Sequence, residues 1–140
     1  MHLVIAPPPS GAGFVRQRMV KSGDQSAPRY AAGVTLSGWV SDASAPAVIV
    51  ADGMLVSGGG TATLTGELRS NAVVGSAPVL WEVRLDGTAV ASGSVSTTVA
   101  AIGPTTITVA DGERATVWVR TSGIVARTVQ DGTWIDIAPA

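Results

Sequence analysis

The chain has no cysteine, one histidine (His2), one lysine, one phenylalanine and one tyrosine, and only 14% of its 140 residues are charged. Each shortage closes off a class of function. Without cysteine there is no disulfide framework, no thiolate nucleophile and no Cys-type zinc site. The lone histidine stands next to the N-terminus, so a Ser–His–Asp triad would need it folded back onto the rest of the chain. No run of about 18 apolar residues offers a membrane-spanning helix. Leu3-Val4-Ile5-Ala6 is too short for the apolar region of a signal peptide, and no Lys or Arg precedes it, so synthesis in the cytoplasm without a signal peptide is expected. The charged fraction falls well below the usual value of about 25%. Mixed surface charge keeps small domains apart, which suggests a chain that buries outer surface in an assembly. Eight Arg to one Lys, with much Ala, Gly and Val, fits equally well with a GC-rich genome. Both explanations stand at this point.

What is present is an ordinary apolar fraction, 46%, in a length that suits one domain. The net charge of −1 is unevenly spread. Residues 1–32 hold Arg16, Arg18, Lys21 and Arg29 against Asp24, and the remainder holds five Arg against nine acids. A weakly basic segment on an acidic body suits docking onto an acidic neighbour, a second copy included. It is too weak for nucleic acid, where a domain pI above about 9 is expected, and neither nucleic acid nor membrane is an expected partner.

Residues 1–32 read as an extended N-terminal arm. Pro7-Pro8-Pro9-Ser10-Gly11 is non-helical, because proline fixes φ and lacks a donor. Phe14 to Val20 alternates loosely, as a strand that adds to a neighbour's sheet edge would; the competing reading is a disordered tail. The arm's assembly candidates are Phe14, Arg16, Arg18, Lys21, Arg29 and Tyr30. Residues 33–140 read as one β-sandwich domain. In Val79 to Leu85, the residues Val79, Trp81, Val83 and Leu85 share one face, with Glu82 and Arg84 on the other. Arg114 to Thr121 repeats this alternation. Further Val-, Thr- and Ile-rich strand candidates are 34–40, 47–50, 61–69, 88–94, 95–101, 105–109, 124–130 and 133–137. Four Asp-Gly pairs, at 52, 86, 111 and 131, suit tight hairpins. Gly58-Gly59-Gly60 reads as a flexible or close-approach loop, since no Lys-Ser/Thr pair follows it. About ten short strands point to an all-β, antiparallel, jelly-roll-like sandwich.

No catalytic, metal or cofactor set emerges. Four of the seven Asp are taken by turns, and Asp24, Asp42 and Asp136 are scattered. A Glu67/Glu82 carboxylate pair is conceivable, but each has an arginine two residues on, Arg69 and Arg84, and cross-strand ion pairs are the preferred reading. The tryptophans say more. Trp81 belongs to the core by its parity, whereas Trp39, Trp118 and Trp134 fall on the opposite parity to their apolar neighbours. Three readings remain for these: an oligomer interface, where Trp and Arg serve as anchors; a glycan platform beside Arg120 or Arg127; or core residues after a slip at a bulge. Trp39, Trp118, Arg120 and Trp134 are therefore the interface or glycan candidates.

Three stretches carry a resemblance. Trp81-Glu82-Val83-Arg84-Leu85-Asp86-Gly87-Thr88-Ala89-Val90-Ala91 resembles a hairpin of tumour necrosis factor-like jelly rolls, among them the complement-subcomponent globular heads. Val109 to Val119 resembles their late strand after a Gly-Asp type turn. Gly132 to Pro139 is similar to the closing strand of small minor tail proteins from phages of actinobacteria. The likeness covers residues 33–140 and transfers no active-site residue. It implies a two-sheet jelly roll, commonly trimeric, mounted on a virion, although the 4% aromatic content is low for such trimers. The expected function is thus a non-enzymatic phage virion protein, foremost a minor tail (tail-tip) subunit. It would dock to other virion proteins through its arm and form a homo-oligomer. The rival readings are a capsid decoration protein and a carbohydrate-binding module for the host envelope.

Overall fold

The computed structural model describes residues 14–29, 32–71 and 77–140. Among them there is no helix. The strands are β1 (Gln17–Lys21), β2 (Gln25–Ala27), β3 (Val34–Thr35), β4 (Trp39–Ser41), β5 (Val48–Val50), β6 (Gly53–Leu55) and β7 (Gly60–Arg69), then β8 (Val79–Leu85), β9 (Thr88–Val95), β10 (Val99–Val109), β11 (Arg114–Thr121), β12 (Arg127–Val129) and β13 (Trp134–Pro139). One sheet has the order β10-β7-β13-β1-β4 and the other β5-β6-β11-β8-β9, with β3 also on β11 and a small β12-β2 ribbon beside them.

The pairings are nested. β1 pairs with β13, β6 with β11, β7 with β10 and β8 with β9, all antiparallel. The chain is thus one long hairpin whose tip is the β8–β9 turn, rolled so that successive rungs alternate between the sheets. That is the jelly roll expected from the sequence. The tip explains itself locally: Leu85 pairs with Thr88, and Asp86 and Gly87 both have positive φ, 48° and 85°, as a two-residue hairpin turn needs.

Period-two alternation fills the space between the sheets. Met19, Leu64, Leu68, Ile135 and Ile137 from the first sheet meet Trp81, Val83, Val117 and Val119 from the second, all buried. At roughly 1.5–3 kcal/mol for each fully buried large apolar side chain, this shared face holds the two sheets together.

Several expectations need correction. The boundary between arm and body does not fall at residue 32. β1 is an interior strand of the protein's own first sheet, with Met19 opposite Ile135 on one side and Ser41 on the other. Phe14, Met19 and Ala27 join the core. An alternating segment satisfies its backbone by pairing, and here the available edge is the chain's own β13. Residues 1–13, 30 and 31 of the expected arm fall outside the described residues. Residues 95–101 and 105–109 do not form two strands. β9 ends at Val95, and β10 runs from Val99 to Val109 through a bulge between Ile102 and Thr105. Pro104 is tolerated there because β10 is an edge strand. Of the Asp-Gly pairs, only those at 52 and 86 lie at hairpins within a sheet; Asp111-Gly112 carries the chain from one sheet to the other, and Asp131-Gly132 from the ribbon to the first sheet. The Glu67–Arg69 and Glu82–Arg84 ion pairs, both closest at an oxygen 2.8–2.9 Å from the guanidinium, run along a strand and not across strands.

Candidate functional site

The two sheets turn different surfaces outward. On the first sheet, cross-strand register sets Val40, Val20, Trp134, Glu67 and Ala101 in one row. Below it Arg18, Asp136 and Thr65 are neighbours, and then Ala138, Thr63 and Thr106. Asp136 points to this outer side yet is only 2% exposed. Arg16 and Arg18 cover it, donating from Nε to Oδ2 at 2.8 and 3.1 Å. The Arg18 guanidinium also lies 4.1 Å from the centre of the Trp134 ring. The result is a flat face of Thr, Ala and Val in which the charges are folded onto one another.

Five of the six expected arm contacts engage the protein's own body. Phe14 is buried in the core. Arg16 and Arg18 are held by Asp136. Lys21 is buried and donates from Nζ to the Ser37 carbonyl at 2.8 Å. Burial pushes the Lys21 pKa down, with Asp24 and Asp131 partly opposing. Arg29 is exposed and donates to the Ile124 carbonyl. Tyr30 lies outside the described residues. Trp39 is not a surface platform: it is 5% exposed, and its indole Nε1 donates to the Leu36 carbonyl at 3.0 Å. Gly38, at φ 72°, breaks the alternation, so Leu36 and Trp39 both turn inward while Val40 turns out.

The second sheet presents a shallow trough of about 380 Å³, lined by Leu80, Trp81, Glu82, Ser92, Gly93, Ser94, Trp118 and Arg120. Register builds it. Trp118 stands opposite Glu82, which stands opposite Ser92; Arg120 stands opposite Leu80, which stands opposite Ser94. These six outward positions form two parallel rows across β11, β8 and β9. The Trp118 indole is a rigid wall. A Cβ on Gly33 would fall 2.2 Å from the ring, so only glycine lets the backbone pass there. Arg84 lies 4.7 Å from the ring centre, tethered by its Nε to Glu82 Oε1 at 2.9 Å. Both outward indoles, Trp118 and Trp134, thus carry an arginine over the ring. Arg120 is different: half-buried, 6.0 Å from the Trp118 ring centre, and with no hydrogen bond or ion pair among the described residues.

The structure brings Arg18 together with Trp134 and Arg120 together with Trp118, and places the two pairs on opposite faces. Glu67 and Glu82 likewise face opposite sides, so they do not form a carboxylate pair. Among the described residues no cluster of three or more His, Asp or Glu gathers. Arg127, weighed as a neighbour for a glycan, is 1% exposed. Its guanidinium is spent on the carbonyls of Asn71, Val95 and Thr97, clamping the connections at one end of the sandwich. The sequence pattern does not single out Leu80, Ser92 or Ser94, and it raises Glu82 only as half of a carboxylate pair. The outward parity of Glu82 was legible, but its register against Ser92 was not.

No family model matches the chain, and no curated protein matches it in sequence.

Proposed function

We propose that this protein is a non-enzymatic assembly subunit of a bacteriophage virion, a minor tail (tail-tip) protein whose jelly roll self-associates through the outer face of its first sheet. The phage setting comes from the resemblance of residues 33–140 to virion jelly rolls. The single observation that carries the assembly role is that face: Thr61, Thr63, Thr65, Thr106, Thr108, Ala101, Ala138, Val20 and Val40 share it with Trp134 and the Glu67–Arg69 pair, and Asp136 is covered by Arg16 and Arg18. Most of these side chains are short, and the charges on the face are engaged with one another, Arg16 and Arg18 with Asp136 and Arg69 with Glu67, leaving one net positive charge, so a copy can approach closely at a modest desolvation cost. With residues 14–29 committed to the sandwich and its margin, docking through an arm falls to residues 1–13.

Light scattering of the purified protein at several concentrations tests this. The expected mass is a stable multiple of the 14.0 kDa chain. Thr63→Arg, which sets an unpaired charge between Ala138 and Thr106, should give the monomer with an unchanged circular dichroism spectrum. A wild type that stays monomeric throughout, or a Thr63→Arg variant of unchanged mass, refutes the assignment of this face. A capsid decoration role would use the same face, and immunogold labelling of virions separates it from a tail role.

A further inference from the structure

We infer that the trough on the second sheet is a binding site for an acidic saccharide, with Arg120 pairing with the sugar's carboxylate. The trough lies on the opposite side of the sandwich from the assembly face, so this inference does not depend on assembly.

The side chains define the ligand. Trp118 and Leu80 give an apolar wall and floor, and Ser92, Ser94 and Glu82 place hydroxyl and carboxylate groups along the same rows. A sugar ring presents that mixture: C–H faces for the apolar part and a rim of hydroxyls for the polar part. Neither Ser92 nor Ser94 has a side-chain partner within the described residues, so both hydroxyls are available. The volume, about 380 Å³, falls at the lower end of ligand sites.

The charge selects the class. Six of the eight arginines have partners inside the protein: Arg16 and Arg18 on Asp136, Arg69 on Glu67, Arg84 on Glu82, Arg127 on carbonyls and Arg29 on Ile124. Arg114 and Arg120 make no side-chain hydrogen bond or ion pair among the described residues, and Arg114 is exposed. Arg120 alone is half-buried, unpaired and part of a concave site. Its planar fork matches a carboxylate with two parallel hydrogen bonds. Glu82 beside it, already paired with Arg84, disfavours a doubly charged phosphate and leaves one net positive charge for one carboxylate. The Arg84 roof means that the indole serves as a wall and not as an open stacking platform, so selectivity rests on Arg120 and the serines.

The test is titration of ¹⁵N-labelled full-length protein with trigalacturonate, with maltotriose as the neutral control, following the indole N–H signals of the four tryptophans. The Trp118 signal, assigned with Trp118→Phe, should shift saturably with trigalacturonate only, and less at high salt. Arg120→Gln, which gives up only a distant contact with the Trp118 ring inside the protein, should weaken binding about tenfold or more, the loss of a hydrogen bond to a charged group. A Ser92→Ala/Ser94→Ala double variant should weaken it less. Three results would overturn the proposal: no shift at millimolar trigalacturonate, an equal response to maltotriose, or unchanged affinity in Arg120→Gln. None of these bears on the mass measurement that tests assembly.

Discussion

Truncating Met19 to alanine tests whether the segment before residue 33 belongs to the folded body. Met19 is fully buried in β1, paired to Ile135 of β13 and Ser41 of β4, and packs into the shared core. Removing its thioether arm forfeits the transfer free energy of the lost atoms and leaves a cavity between two sheets that cannot fully collapse. Large-to-alanine changes of this kind cost about 2–5 kcal/mol. Against a total stability of about 5–15 kcal/mol, that is a large fraction. At roughly 4 °C per kcal/mol for a domain of this size, the melting midpoint should fall by about 8–20 °C. The internal control is Val15→Ala, four residues earlier and 62% exposed, which should stay within about 0.5 kcal/mol of the wild type. Differential scanning calorimetry reads both. If Met19→Ala melts like Val15→Ala, β1 is not part of the core, and residues 14–29 revert to an arm.

Three further outcomes follow from the same geometry. Lys21, the only lysine, has its pKa lowered by burial, so between its folded value and the ordinary 10.5 the unfolded chain binds more protons than the folded one. Stability contributed at this site therefore rises with pH, and urea denaturation should show the wild type gaining on Lys21→Met from neutral pH up to 10.5; a flat or falling difference refutes the burial argument. Gly33→Ala combines φ +63° with a Cβ 2.2 Å from the Trp118 ring, whereas Gly87→Ala combines φ +85° with open space. The first should cost about 3 kcal/mol or more and change the Trp118 fluorescence, the second about 1 kcal/mol with no spectral change. Arg127→Met keeps the volume but strips the carbonyls of Asn71, Val95 and Thr97 of their donor, a loss of at least about 3 kcal/mol in calorimetry.

What the sequence revealed was what alternation can encode. Val79–Leu85 and Arg114–Thr121 are β8 and β11 to the residue, because every second side chain is apolar and nothing interrupts the period. The outward parity read for Trp118 and Trp134 also matches the structure. Alternation does not name the partner strand, however. Phe14 to Val20 reads as a strand, but its mate, β13, lies more than a hundred residues away, and only the nested hairpin brings it there. Trp39 escaped because one glycine with positive φ shifts the parity of everything after it. β6 is three residues long, too short to show a period. The trough depends on register across three strands, which no local pattern carries.

The sparse charge takes on a sharper meaning once each arginine is placed. A chain with nine basic and ten acidic residues has few charges to scatter over its surface, and it uses most of them in pairs or on carbonyls. On the first sheet this gathers Arg16 and Arg18 onto Asp136 and Arg69 onto Glu67. If low charge were only the mark of genome composition, the remaining arginines would have no reason to be sorted by face. They are sorted: Arg16 and Arg18 are both spent on Asp136 on one side, and Arg120 stands unspent in the concave site on the other. The same core thus spaces two different surfaces, one on which Arg16 and Arg18 share Asp136 and one whose trough holds Arg120.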